Sequence, residues 1–213
     1  RNEERGRDVD RACAECGVKA SFLAADVSRP EGARRMVAFA LETFGVLDVA
    51  FNNAGYQEPR APLADQPDDA FDRVFDTNVR ALFHAMKAEL AAMLPRGKGI
   101  IINNASVSGV RNPNPGLALY SASKAAALSL TRSAAMEYAP AGIRINAVSP
   151  GRIVTPMMLA SKIADMGAVA AALPLRRMGK AEEVAEAVVW LASDAASFVV
   201  GHNLCVDGGF LSQ

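Results

Sequence analysis

Apolar residues along this chain fall into two spacings, short continuous runs and stretches with a 3.6-residue period, and the two alternate from end to end. Residues 2–16 read as the polar part of a helix stopped by Gly17. Lys19–Ala25 reads as a short strand closing at Asp26. Ser28 is placed to cap a helix with Pro30 and Glu31 in its first turn, and Met36, Val37, Ala40, Leu41 and Phe44 carry its apolar stripe as far as Gly45. A strand at Leu47–Asn52 follows, then one long helix from Asp68 to Met93 and a strand at Gly99–Ala105. The remainder reads as a helix at Leu119–Tyr138, a strand at Ile143–Val148, a partly helical segment over 155–178, a helix at Lys180–Ser193 and a short strand at Leu204–Val206.

Ile100, Ile101 and Ile102 form an unbroken apolar run, as expected of a parallel strand covered on both faces. Strands alternating with helices in this way predict a doubly wound α/β fold of the Rossmann type. No repeat, low-complexity tract or linker interrupts the pattern, so residues 1–213 are expected to form one domain.

Composition narrows the function. With 23 Lys plus Arg against 23 Asp plus Glu and a pI near 6.9, the chain has no net pull toward nucleic acid or anionic membrane. No run approaches the ~18 apolar residues that span a bilayer, and the acidic and basic residues at its start are the reverse of a secretory leader. Three sparse cysteines, Cys13, Cys16 and Cys205, suit a reducing compartment, so a cytoplasmic protein is expected. Cys13-x-x-Cys16 has no second cysteine pair, and His84 and His202 are far apart in sequence, so no metal site is expected.

Ligands of open parallel sheets bind beyond the carboxyl ends of the strands. The residues there are Asp26, then Asn52-Asn53-Ala54-Gly55, then Ser106, then Pro150-Gly151. Each is ordinary turn chemistry when taken alone, but together they mark one edge. Tyr120 and Lys124 stand at i and i+4 of a helix and project from the same face. A phenol with a pKa near ~10 is a poor base at neutral pH, and a neighbouring ammonium favours its phenolate. Such a pair can pass a proton to or from an alcohol or carbonyl oxygen, and Ser106 is placed to hydrogen-bond the same oxygen.

Asp26-Val27, Asn52-Asn53-Ala54-Gly55, Asn78, Asn104-Ala105-Ser106, Tyr120-x-x-x-Lys124, Pro150-Gly151-x-Ile153-x-Thr155 and Val206-Asp207-Gly208-Gly209 stand in an order and spacing that resemble the short-chain dehydrogenase/reductase family over the whole length. The resemblance implies hydride transfer between NAD or NADP and a small alcohol or ketone. Tyr120 would be the general acid/base. Lys124 would lower its pKa and bind the nicotinamide ribose, Ser106 would hold the reacting oxygen, and Asn78 would hold a water in a proton relay. Asp26 and Val27 would meet the adenine, Asn53, Ala54 and Gly55 would flank the adenine ribose, and Pro150, Gly151, Ile153 and Thr155 would fix the carboxamide.

The family's glycine-rich pyrophosphate turn departs from this pattern, since no G-x-G-x-x-G occurs in the sequence; a natural protein longer at its N-terminus is expected. Arg1 suits a 2′-phosphate or an NAD enzyme equally. The helices at 68–93 and 119–138 would pair across a two-fold, giving a homo-oligomer, dimer or tetramer. Residues 155–178, with Met157, Met158, Leu159 and Met166, are the expected substrate lid. Arg111 and Arg152 are candidates for an anionic substrate group, though Arg152 suits solvent equally. Two other readings stay open, a reductase of 3-oxoacyl groups on a carrier protein and a cofactor-binding sensor or scaffold without turnover.

Overall fold

Backbone groups in a buried strand must find partners on the next strand, and four segments of this chain supply them to one another. The computed structural model describes residues 3–112, 115–161 and 165–213. Strands β1 (Val49–Asn52), β2 (Gly99–Asn104), β3 (Ile143–Pro150) and β4 (Asn203–Val206) form a parallel sheet in the order β1-β2-β3-β4. The register sets Ile101 beside Ala50 and Ile145, and Ser149 and Pro150 beside Cys205 and Val206. That last pairing carries β3 two residues past its predicted end at Val148.

Helices cover both faces. They are α1 (Glu3–Glu15), α2 (Pro30–Phe44), α3 (Asp68–Phe75), α4 (Ala81–Met93), α5 (Ala118–Tyr138), α6 (Pro156–Ala160), α7 (Met166–Ala171) and α8 (Ala181–Ala192). Alternate strand residues split the core. Ala50, Ile101, Ile143 and Ile145 pack with Leu82, Met86, Leu90 and Met93 of α4 and Ala127 and Ala135 of α5. Ile100, Ile102, Val148 and Leu204 pack with Val184, Val188 and Leu191 of α8 on the other side.

Three sequence expectations are corrected. Lys19–Ala25 carries no ladder, because no described strand lies alongside to take its hydrogen bonds, and its Phe22 ring packs on Gly6 of α1 instead. Ser28 is not the cap of α2. Arg29 holds that position without a side-chain bond, and the Ser28 hydroxyl donates instead to Asp26 Oδ1 at 2.7 Å. The single helix expected over 68–93 is interrupted by a π turn at Asp76–Arg80 between α3 and α4. π turns of this kind often accompany functional sites, and this one carries Asn78.

Candidate active site

The carboxyl ends of β1, β2 and β3 open together on a cavity of about 510 Å³. Of the residues singled out in the sequence, Asn53, Gly55, Ser106, Tyr120 and Lys124 line it from one side, and Pro150, Gly151, Ile153 and Thr155 from the other. Asp26, Val27, Ala54 and Asn78 are not on its wall. Arg1 and residues 162–164 of the expected lid lie outside the described residues.

Tyr120 and Lys124 sit in the first two turns of α5, next to the exit of β2. Ser106 ends that strand's extended run and caps the short 3-10 turn after it, its oxygen accepting from the Ser108 N–H at 3.1 Å. The Ser106 side chain stands beside the Tyr120 phenol on the cavity wall. Burial pushes the phenol above its usual range. The neighbouring Ser106 hydroxyl opposes that rise, and the negative charge of Glu58 adds to it. The net shift of the phenol is upward, because burial outweighs the groups that favour its ionised form. The Lys124 ammonium donates to the Asn104 carbonyl at 2.7 Å and lies 5.7 Å from the Tyr120 ring centroid, and burial lowers its pKa to about 8. At neutral pH the pair is therefore a protonated phenol beside a mostly charged amine.

Asn78 works from behind the cavity. Its Oδ1 accepts the Tyr56 N–H at 2.7 Å, and its Nδ2 donates to the Tyr56 carbonyl at 2.8 Å and to Ser123 Oγ at 2.9 Å. Ser123 in turn donates to the Tyr120 carbonyl at 2.7 Å. The amide thus ties the loop after β1 to the turn of α5 that carries Tyr120.

Sequence reasoning missed Glu58. It is 1% exposed and accepts the Tyr120 N–H with Oε1 and Oε2, at 3.0 and 3.1 Å. Leu117, at the N-cap position of α5, supplies no side-chain bond, so this carboxylate from a distant loop caps the helix. No local pattern announces a cap that comes from 62 residues away.

On the opposite wall, the Gly151 N–H donates to the Val206 carbonyl, and a Cβ on Gly151 would fall 2.7 Å from the Asp207 Cα, so only glycine fits beside that backbone. Asp207 secures the turn by accepting from the Gly209 and Leu211 N–H groups. Ile153 bridges to Gly179, and Thr155 caps α6 by accepting from the Met158 N–H at 3.2 Å.

These residues suit the nicotinamide end of a dinucleotide. A Cβ on Gly55 would stand 3.5 Å from Lys124 Nζ, so the glycine keeps the approach to the ammonium open. Asn104 Oδ1 is buried there without a partner among the described residues. Lys124 supplies donors for a ribose diol, and the Thr155 hydroxyl keeps its proton for a carboxamide or phosphate.

A family model described as enoyl-(acyl carrier protein) reductase matches residues 1–211. Cyclohexanol dehydrogenase of Acinetobacter sp. (strain SE19) is 39% identical over 212 residues, covering 100% of this chain and 83% of that protein. The chain belongs to the short-chain dehydrogenase/reductase family. NAD+-bound xylitol dehydrogenase superposes with a TM-score of 0.91 at 35% identity, covering 98% of this chain and 86% of its own. Gluconate 5-dehydrogenase from Burkholderia cenocepacia J2315, solved with NADP and tartrate, gives 0.92 at 32% identity, covering 100% and 84%. As a short-chain dehydrogenase/reductase, this protein is an NAD(P)-dependent oxidoreductase that transfers hydride at CH–OH or C=O groups. None of its described helices is long and apolar enough to cross a membrane.

Proposed function

We propose that the protein interconverts a small secondary alcohol and its ketone, with Tyr120 as the general acid/base. The observation that carries this is the meeting of the Tyr120 phenol, the Ser106 hydroxyl and the Lys124 ammonium on one cavity at the carboxyl edge of the sheet. When bound, the nicotinamide supplies or accepts the hydride. In reduction, the carbonyl carbon gains that hydride while its oxygen takes the phenol proton, and Ser106 donates a hydrogen bond to the same oxygen. The Lys124 charge stabilises the phenolate left behind, and solvent returns the proton. Oxidation runs the same steps backward.

Asn78 acts as the positioning residue of this set, holding Tyr56 and, through Ser123, the turn of Tyr120. A water relay past Asn78 to Lys124 belongs to the same reading. Asn53, Ala54 and Gly55 would flank the adenine ribose, and Asp26 and Val27 would meet the adenine. Pro150, Gly151, Ile153 and Thr155 would take the carboxamide, and residues 155–178 would close as a lid within a single catalytic domain. An apolar groove between α4 and α5, walled by Phe83, Met86, Leu90, Leu130 and Tyr138, supports pairing of two copies through these helices into a homo-oligomer. The free cysteines support a cytoplasmic setting.

Tyr120→Phe tests the reading. Turnover of cyclohexanol with NAD(P)+ should fall at least about a hundredfold with cofactor binding retained. Undiminished turnover would remove Tyr120 from the chemistry, and a sensor without turnover would lose nothing.

A further inference from the structure

The loop after β1 is fastened almost residue by residue to α5 and the segment before it. Asn78 brackets Tyr56 by accepting its N–H and donating to its carbonyl, and Ser123 joins that amide to the turn of Tyr120. Glu58 accepts the Tyr120 N–H with both oxygens. Arg60 donates to the Pro115 carbonyl at 3.1 Å, and the Ala61 N–H donates to the Gly116 carbonyl. Gln57 stands between Tyr56 and Glu58, so its backbone is held relative to Tyr120 from both sides.

Gln57 is half-buried on the wall of the cavity that also carries Tyr120 and Ser106. Other neutral polar side chains of that wall already have bonds. Asn104 Nδ2 donates to Asn53 Oδ1 at 2.6 Å, Thr155 accepts from the Met158 N–H, and Ser161 donates to the Met158 carbonyl. The Gln57 amide takes part in no hydrogen bond with any described residue. Of the arginines, Arg60 is committed to Pro115 and Arg152 is also engaged. Arg111, a candidate from the sequence, is not part of the cavity and donates to the Gln213 carbonyl. Leu117, Ile153 and Met157 make much of the remaining wall apolar.

Resting on the alcohol and ketone reading above, we propose that Gln57 selects substrates with a second hydroxyl on an apolar frame, bonding that hydroxyl while the reacting CH–OH or C=O group meets Tyr120 and Ser106. A primary amide both donates and accepts, and so does a hydroxyl, so each satisfies the other in full. A substrate without the second hydroxyl would cover the amide and leave it unpaired. The fastened backbone keeps the amide from following such a substrate, and a fixed polar group left unpaired discriminates strongly.

An alcohol cannot react with a reduced nicotinamide, so calorimetry on the full chain saturated with NADH or NADPH reads recognition without turnover. The probes are cyclohexanol and the 1,2-, 1,3- and 1,4-cyclohexanediols. At least one diol should bind about tenfold more tightly than cyclohexanol, the effect of one or two neutral hydrogen bonds. Gln57→Leu should abolish most of that preference, and Gln57→Glu, which keeps an acceptor, should keep part of it. Because Gln57 bonds nothing within the protein, the leucine variant should melt with the wild type. Equal binding of all four probes, or a preference intact in the leucine variant, overturns the proposal. So does a loss of cofactor affinity as large as the loss of diol affinity, because the amide would then serve the nicotinamide. The reaction is read separately, from wild-type oxidation of the same four alcohols with NAD+ and NADP+. Failure to oxidise any of them, with the binding preference intact, counts against the alcohol and ketone reading and leaves the role of Gln57 standing.

Discussion

Glu58 holds the backbone N–H of Tyr120 with both carboxylate oxygens, so the residue proposed to move the proton is fixed through its main chain by an acid from another loop. The same charge raises the phenol's pKa. Glu58→Ala should leave a buried helix N–H unpaired and cost about 1–3 kcal/mol, read as a lower denaturant midpoint. Glu58→Gln keeps one acceptor and removes the charge, so it should cost less and lower the pKa of Tyr120. A stability loss in the glutamine variant equal to that in the alanine variant would show that the charge, rather than the cap, is what matters.

Asn78 makes three hydrogen bonds with one amide, and two of them need its N–H groups as donors. Asn78→Asp should therefore be at least as damaging as Asn78→Ala, because it replaces those donors with an acceptor facing the Tyr56 carbonyl and introduces charge into a buried site. Each should cost about 2–4 kcal/mol and reduce turnover along with stability. Thermal unfolding of the two variants beside wild type gives the comparison, and a stable aspartate variant would contradict it.

Lys124 gives the expected pH dependence of the rate. Burial lowers its pKa to about 8, so the ammonium that stabilises the Tyr120 phenolate is present below that pH and lost above it. The kcat/KM for ketone reduction should be level through neutral pH and fall as pH rises past about 8. Lys124→Met should be slower by about a hundredfold or more and should lack that falling limb. A variant that keeps the limb assigns it to another group.

Much of this site was legible because the fold gathers it from strand ends that periodicity had already marked. Ser106 follows an apolar run, Pro150 and Gly151 follow another, and the i, i+4 spacing of Tyr120 and Lys124 fixes a shared helix face without knowledge of the tertiary structure. The π turn was not legible. Asp76-Thr77-Asn78-Val79-Arg80 contains neither glycine nor proline, so its composition reads as uninterrupted helix. Glu58 and Arg60 escaped notice for a different reason. Both act on partners more than 50 residues away, and only the stitching of their loop to the segment before α5, through the Ala61 N–H and the Gly116 carbonyl, brings them to the site. Lys19–Ala25 has the composition of a strand, but a strand is defined by its neighbour, and composition carries no information about that.

Glu89 links the core to pH. It lies on α4, 2% exposed, and accepts from Asn52 Nδ2 at 3.1 Å. Asn52 also donates to Asn103 Oδ1, and Asn103 donates to Thr131, so the carboxyl ends a buried chain crossing β1, β2 and α5 directly behind the cavity. Burial raises its pKa from 4.5 to about 7, against the opposing effect of the Asn52 bond. The folded protein therefore binds this proton more tightly than the unfolded chain does. The associated stability is fully present below about pH 4.5 and is lost as pH rises through about 7, a swing of about 3 kcal/mol at the full shift. Glu89→Gln keeps the size and an acceptor for Asn52 but cannot ionise. Its stability should fall less steeply than wild type between about pH 5 and 8, with the gap in its favour widening toward the alkaline side. Urea midpoints for the two proteins across that range decide the matter. Parallel curves would mean that Glu89 titrates at its ordinary value, and that the buried chain from Asn52 to Thr131 tolerates the charge.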